Sequence, residues 1–264
     1  MDNTKLKIVA VIQARLGSTR LPGKALKKIL DKTLIEWIAY RLSFCREVDQ
    51  IVLSTADNEE NSPLVDLAKS IGLKYFCGSE DDLVSRIYNT AKRFSADAIV
   101  RVTGDCPLVD PRIVDSLVIK FRQQSSLEYI TNILPPTFPD GLDVEVISFK
   151  ALKRLDREVK DKLRREWITT TIMENPGNFK TLNIKNKKDL SGLRLTVDYP
   201  KDFELVKRIF FKLHRPEKIF VLADILKLLN QEPMLSKINE KHVDKHIFNN
   251  IRSGEFHKLK SVIN

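Results

Sequence analysis

The sequence predicts an α/β fold, a mostly parallel sheet with helices on both faces. Three observations carry this reading. Short apolar runs alternate with longer amphipathic segments through the first two hundred residues, and uniformly apolar runs are how strands buried on both faces read. Two amphipathic segments open on a capping residue followed by proline, Asn61-Ser62-Pro63 and Asp110-Pro111, a helix-start signal. No internal repeat interrupts the alternation.

In chain order, a buried strand is expected at 6–13, then a polar glycine-bearing loop, then a helix at 33–45. Strands at 50–55, 73–77 and 97–103 alternate with helices from 61, over 81–94 and from 110. Residues 133–141 carry three prolines and a glycine and read as a loop, and 142–148 alternate like a half-exposed strand. Helices are expected at 149–159 and 163–174, strands at 179–184 and 193–197, and a helix from Tyr199-Pro200 towards 213. Beyond Pro216 the chain is lysine-rich and helical in pattern. The expected organisation is therefore a domain over 1–213 and a basic helical appendage over 214–264.

Composition excludes several classes. The 264 residues are 42% hydrophobic and 30% charged, enough for a substantial core. No run approaches the roughly 18 apolar residues of a membrane span. The apolar stretch at 8–12 is shorter than a signal-peptide core of about 7–15 residues, so a cytoplasmic location is expected. Cys45, Cys77 and Cys106 are odd in number and widely spread, against a disulfide framework or zinc site. The net charge is +10, but the basic residues are scattered among acids rather than clustered, so nucleic acid is not the expected partner. A protein that handles phosphate-rich small molecules carries the same excess.

The chemistry gathers in three segments. The first strand runs into VIQARLGSTRLPGKAL (11–26), with cations at Arg15, Arg20 and Lys24 and hydroxyls at Ser18 and Thr19. Open α/β sheets bind ligands beyond the carboxyl ends of their strands, and amides with guanidinium forks suit phosphate oxygens. This is not a Walker loop: five residues separate Gly17 from Gly23, and Ala25 stands where a hydroxyl ligand is required. The second segment, RVTGDCPLVDP (101–111), ends a strand at Gly104-Asp105, a turn aspartate or a metal ligand. The third, LRLTVDYPKDFEL (193–205), places Asp198 at a strand end before a proline-opened helix, as an N-cap or a second ligand. Magnesium commonly takes one or two carboxylates together with substrate phosphates. Asp105, Asp198 and the cationic loop are thus expected to converge on a Mg²⁺ site suited to nucleotidyl transfer. Arg86 is either a solvated helix charge or reaches the nucleotide. His242 and His246, one helical turn apart, read as surface residues.

The segments QARLGSTRLPGK, RVTGDCPLVDP, PDGLDVEV (139–146) and LTVDYPKDFEL occur in order over about residues 6–213. Together they resemble the cytidylyltransferase family, which includes CMP-KDO and CMP-acylneuraminate synthetases, and most closely its spore-coat polysaccharide branch. The resemblance implies a Rossmann-like nucleotide-diphospho-sugar transferase fold, CTP as donor, Mg²⁺, a sugar or sugar-acid acceptor, pyrophosphate as product and a homodimer. It implies that Ala14, Arg15, Gly17, Ser18, Thr19, Arg20 and Lys24 meet the nucleotide phosphates, with Gly104 beside them and Asp105 and Asp198 on the metal. By the same resemblance Ser54, Thr55 and Asp57, with the segment 79–86 and its Arg86, surround the nucleoside. Asp140, Gly141 and Glu145 fall in the acceptor and dimer region. Arg15, Lys24 and Asp105 are the residues expected to act on the reaction itself.

Two departures concern the acceptor: Glu166-Trp167 stands where the branch often has Glu-His, and Cys106 replaces the glutamate of the CMP-KDO metal segment. Two alternatives stand beside this reading. A glycosyltransferase of the same fold usually holds its metal by an Asp-x-Asp pair, and Gly104-Asp105-Cys106-Pro107 lacks the second acid. A non-catalytic nucleotide-binding subunit would bind CTP without releasing pyrophosphate.

Overall fold

The structure, a computed structural model, describes residues 5–166, 168–174 and 177–242. The strands are β1 (Ile8–Gln13), β2 (Lys28–Ile29), β3 (Lys32–Thr33), β4 (Gln50–Ala56), β5 (Lys74–Gly78), β6 (Ala98–Thr103), β7 (Tyr129–Thr131), β8 (Glu145–Ser148) and β9 (Thr181–Asn183). The helices are α1 (Leu34–Leu42), α2 (Ser62–Ser70), α3 (Leu83–Arg93), α4 (Pro111–Gln123), α5 (Phe149–Glu158), α6 (Lys162–Glu166), α7 (Ile168–Glu174), α8 (Pro200–Leu213) and α9 (Leu222–Gln231).

Seven strands form one sheet in the order β5-β4-β1-β6-β8-β7-β9, and β2 with β3 makes a separate small hairpin. The pairs β5-β4, β4-β1, β1-β6 and β7-β9 are parallel, and β8 runs antiparallel to both neighbours. The chain leaves β1 on one side, towards β4 and β5, then returns to the other side at β6. That reversal opens a crevice above the carboxyl ends of β1 and β6, where open α/β sheets take their ligands. In register, Gln13 pairs with Thr103, so the loops after both strands start side by side.

Alternation along β1 builds the two layers. Ile8, Ala10 and Ile12 enter a core with α1, α2, α4, α8 and α9, while Val9 and Val11 face α3, α5 and α7. All five are completely buried, and each branched side chain so placed contributes about 1.5–3 kcal/mol. Helix α1 carries a capping box: Glu36 N–H donates to Thr33 Oγ1 (3.2 Å), and Thr33 N–H donates to Glu36 Oε2 (2.7 Å). Asp110 caps α4 by accepting from Arg112 N–H, as its sequence signal suggests.

Several expectations are corrected. Asn61 does not cap α2 with its side chain; that carboxamide serves the crevice instead. Residues 193–197 form no ladder strand. They run extended with one isolated bridge, Arg194 to Asp140, because the neighbouring segment carries Pro139 and the turning Gly141, which cannot continue a ladder. Within 142–148 only Glu145–Ser148 pairs, and antiparallel. The strand β7 is three residues long, too short to show a period. The helix expected at 163–174 is described as α6 and α7, with Trp167 between them outside the described residues.

The boundary expected at 213 is not a break in the core. Phe220, Ile225, Leu228, Leu229 and Leu235 belong to the same apolar cluster as β1 and α1. Arg41 is fully buried and donates to Val109 O and Phe220 O, both at 2.8 Å. Burial pushes its pKa down to about 10, with Asp110 opposing the fall. Asp110, besides capping α4, accepts from Leu222 N–H at 2.7 Å. Residues 214–242 are thus a sewn-in part of the domain, and 243–264 lie outside the described residues. No helix of the described residues is long and apolar enough to cross a membrane.

Candidate active site

The loop after β1 is held from beneath at alternate residues. Ala14 N–H donates to Ser54 O (3.1 Å), Leu16 N–H to the side chain of Asn61 (2.8 Å) and Ser18 N–H to Leu16 O (2.7 Å). The intervening amides of Arg15, Gly17 and Thr19 have no such partner among the described residues, which leaves them available to an anion. Gly23 adopts φ 63° where the loop turns back. Gly104 donates to Gln13 O at 2.8 Å, and a Cβ there would lie 2.8 Å from Ala14 Cβ. Only glycine lets the two loops approach so closely.

These loops line a cavity of about 620 Å³. Ala14, Arg15, Gly17, Ser18, Thr19, Arg20 and Lys24 face it from the first loop. Gly104 and Asp105 face it from the second, with Arg86 and Asp198 beside them. A pocket of this order holds a ligand of nucleotide size.

Its centre is a charge cluster. One ammonium, Lys24 Nζ, donates to Asp105 Oδ2 (2.9 Å) and Asp198 Oδ1 (2.8 Å). The same Asp198 oxygen accepts from Arg20 Nη2 (3.0 Å), and its other oxygen accepts from Arg194 Nη2 (2.7 Å). Asp105 Oδ1 accepts from the Thr103 hydroxyl at 2.6 Å. Burial works to raise the Asp105 pKa, but the Lys24 charge and the hydrogen bonds outweigh it and hold the carboxyl at about 2. Lys24 is pushed down by burial and up more strongly by Asp105 and Asp198, so it stays protonated. Asp198 is not a helix cap. That task falls to Asp202, whose Oδ2 accepts from the N–H groups of Asp198 and Tyr199, both at 3.0 Å. What joins the two aspartates is a backbone bond, Val197 N–H to Asp105 O at 2.8 Å.

Two hard carboxylates within hydrogen-bond reach of one cationic point fit a divalent ion such as Mg²⁺. Among the described residues no group of three or more His, Cys, Asp or Glu side chains is placed to hold a metal. The remaining ligands would therefore come from substrate oxygens.

Other expected residues lie elsewhere. Ser54 and Thr55 are completely buried inside β4, where Ser54 Oγ bonds Thr90 Oγ1 at 3.0 Å. Asp57 is exposed, and none of these three lines the cavity. Asp140, Gly141 and Glu145 also stand behind the cavity wall rather than on it. Asp140 accepts from Arg194 Nη1 at 2.6 Å. A Cβ on Gly141 would meet Thr196 N at 2.4 Å. Glu145 is 4% exposed; it accepts from Arg101, Thr169 and Tyr129, the last at 2.7 Å.

Arg86 is not a solvated helix charge: it is 3% exposed and has no carboxylate partner among the described ion pairs. Burial, with the charges of Arg15 and Arg101 adding, lowers its pKa to about 10. Arg101 lines the cavity too, its guanidinium held by Gln13 (2.7 Å) and Glu145. Sequence reasoning assigned it no role, although an arginine inside the apolar strand AIVRVT was the available signal. His242 is not a free surface residue, since it stacks on Tyr199, a cavity-lining ring, at 4.2 Å and 8°. His246 lies outside the described residues.

The family described as cytidylyltransferase matches residues 9–242. An uncharacterized protein of Methanocaldococcus jannaschii is 35% identical over 240 residues, which is 89% of this chain and 95% of that one. The spore coat polysaccharide biosynthesis protein SpsF of Bacillus subtilis is 29% identical over 235 residues, 86% of this chain and 95% of its own. A solved cytidylyltransferase from Leptospira borgpetersenii superposes with a TM-score of 0.83 at 34% identity, over 88% of this chain and 97% of that one. The match runs through the loop after β1, both aspartate segments and on to His242, and the chain belongs to the cytidylyltransferase family of CTP-dependent nucleotidyltransferases.

Proposed function

We propose that the protein transfers CMP from CTP to a sugar or sugar-acid acceptor, with Mg²⁺ as cofactor and pyrophosphate as leaving group. The observation that carries this reading is the convergence of Asp105 and Asp198 on one cationic point beside a loop of unpartnered amides and cations. Arg15, Arg20 and the amides of Gly17 and Thr19 bind the triphosphate, and Lys24 neutralises charge as the β-phosphate departs. Donors fixed before reaction stabilise that charge without reorganising. Asp105 and Asp198 would hold Mg²⁺ together with substrate oxygens, and the ion would supply further neutralisation of the developing charge. An acceptor oxygen attacks the α-phosphorus in line, and positioning supplies much of the acceleration.

The acceptor enters from the side of the cavity lined by Arg101, Thr169 and Glu166. Glu145 contributes indirectly there, by holding the Arg101 guanidinium towards the space. The name of the Bacillus relative supports a role in surface polysaccharide synthesis, and dependence on CTP supports a cytoplasmic location. We place the working form as a homodimer, on the family resemblance of the 139–146 segment. The glycosyltransferase alternative is disfavoured at Pro107, which stands two residues after Asp105 where that class needs the second acid of its Asp-x-Asp pair. The deciding experiment incubates the protein with CTP, Mg²⁺ and a panel of sugar acids, amino-sugar acids and polyol phosphates. Pyrophosphate release with one acceptor establishes the reading, and release with none of them, despite CTP binding, refutes it.

A further inference from the structure

We infer that Asn239 is a positioning residue for the Asp198 carboxylate, so that the segment after residue 213 completes the catalytic crevice. The inference rests on the proposed role of Asp198 and extends it to a part of the chain outside the expected catalytic domain.

The Asp202 side chain is fully buried in the first turn of α8. It accepts from the backbone of Asp198 and Tyr199 and from Arg194 Nε (3.1 Å) and Nη2 (3.1 Å). All those donors lie within eight residues of it. The remaining donor comes from far along the chain: Asn239 Nδ2 reaches Asp202 Oδ1 at 2.8 Å. The same amide nitrogen donates to Arg194 O at 3.0 Å, and Asn239 is 2% exposed. One buried carboxamide therefore fixes both the acceptor that holds the Asp198 backbone and the main chain of Arg194. Arg194 is the group whose Nη2 anchors Asp198 Oδ2 at 2.7 Å.

The residue type fits the task. A carboxamide offers two N–H donors from one nitrogen and adds no charge. An aspartate would repel Asp202, and an apolar residue would lose both bonds. Three residues on, His242 stacks against Tyr199, the residue next to Asp198. The segment 239–242 thus grips the Asp198 turn at two points. Such outer partners orient metal-binding carboxylates, and losing one typically costs about 10–100-fold in metal affinity or activity.

The test uses the full chain and Asn239→Ala, with Asn239→Ser as a smaller donor should alanine fail to fold. Mn²⁺ uptake in the presence of CTP is followed by electron paramagnetic resonance, alongside thermal melting and the separate kcat and KM for CTP. The expected result for alanine is Mn²⁺ binding weakened about tenfold, a kcat that recovers as Mn²⁺ is raised, and an unchanged KM for CTP. Serine should fall between alanine and wild type. A variant that melts earlier yet binds Mn²⁺ as the wild type does would reduce Asn239 to a structural bond and overturn the proposal. A wild-type protein that binds CTP but takes up no Mn²⁺ overturns the metal reading itself, and the blank wild-type arm tells the two failures apart.

Discussion

Lys24 Nζ lies 2.8 Å from Asp198 Oδ1, joining positions 174 residues apart, and the same ammonium also bonds Asp105. An ammonium therefore rests between the two carboxylates that a metal would need. On the proposed reading, metal entry and the transfer of Lys24 to a phosphate are coupled, because a protonated lysine and a divalent ion cannot share that point. Replacing Lys24 by methionine should tighten Mn²⁺ binding in the absence of nucleotide by about tenfold, the scale of one charge-assisted hydrogen bond, while weakening CTP binding. Titration of the variant with Mn²⁺ alone checks this, and unchanged Mn²⁺ affinity refutes the coupling.

Asp198→Asn separates the cap reading from the ligand reading. Asparagine caps as well as aspartate, and here Asp202 does the capping, so the melting temperature should stay within a few degrees. The charge at the centre of the site is lost, and kcat/KM should fall by on the order of 10²–10³, as for removal of one preorganised electrostatic partner. Near-normal turnover at low Mg²⁺ would leave Asp105 as the sole protein ligand.

On the proposed reading, Asn61 links stability to substrate binding. It is fully buried; its Oδ1 receives the Leu16 N–H at 2.8 Å, and its Nδ2 donates to Asn58 at 2.6 Å. Alanine there leaves an amide of the phosphate loop without its anchor, at about 1–3 kcal/mol. The expected outcome is a lowered melting temperature together with a raised KM for CTP. A variant that is destabilised but binds CTP normally would show that the loop keeps its shape unaided.

What could be read in advance follows from where the constraint is local. Strands β1, β4 and β6 show as apolar runs because both of their faces are largely buried, and the glycines and cations of the 13–24 loop are contiguous. Asp105 and Asp198 were legible as ends of segments, though the second segment is a bridged extension rather than a strand. The rest depends on tertiary partners. Asn61 reads as a helix cap and serves a loop 45 residues away. Glu145 reads as a ligand for the acceptor and is taken up by Arg101, Thr169 and Tyr129. Asn239 sits in a segment with no motif at all. Ser54 and Thr55 owe their nucleoside role to the resemblance alone: the strand expected at 50–55 already contains them, and β4 buries both side chains away from the cavity.

The Asp140 carboxyl gives a pH dependence. Burial raises its pKa from the ordinary 3.8 to about 7, against the pull of Arg194 and with the charges of Asp198, Asp105 and Asp202 adding to the rise. The folded chain keeps a proton that the unfolded chain releases near pH 4. That stabilisation is complete below the ordinary carboxylate range and is lost as pH rises through about 7. Wild-type melting temperature should therefore decline between about pH 4 and 7; buried Asp143, raised by desolvation and by the Asp140 charge, adds a decline of the same sign, so Asp140→Asn should make the decline shallower without abolishing it. Parallel curves for the two proteins would place the Asp140 proton elsewhere.

Arg86 offers a test in which function and stability move in opposite directions. Its guanidinium is 3% exposed, with Nη1 bonded to Ser79 O at 2.7 Å and Nε without a hydrogen-bond partner among the described residues. Burial and the facing charges of Arg15 and Arg101 disfavour the cation, Glu80 and Asp82 partly oppose them, and a pKa of about 10 keeps it protonated at neutral pH. A buried charge with no carboxylate in ion-pair contact is destabilising until an anion arrives, and Arg86 lines the cavity where the nucleotide would bring one. Arg86→Met fills similar volume without the charge. The apo variant should melt at or above the wild-type temperature, whereas the stabilisation that CTP gives the wild type should largely vanish. If Arg86 were only a strut for the Ser79 carbonyl, the variant would melt lower and keep its full response to CTP. Thermal melts of both proteins with and without CTP distinguish the two outcomes by sign.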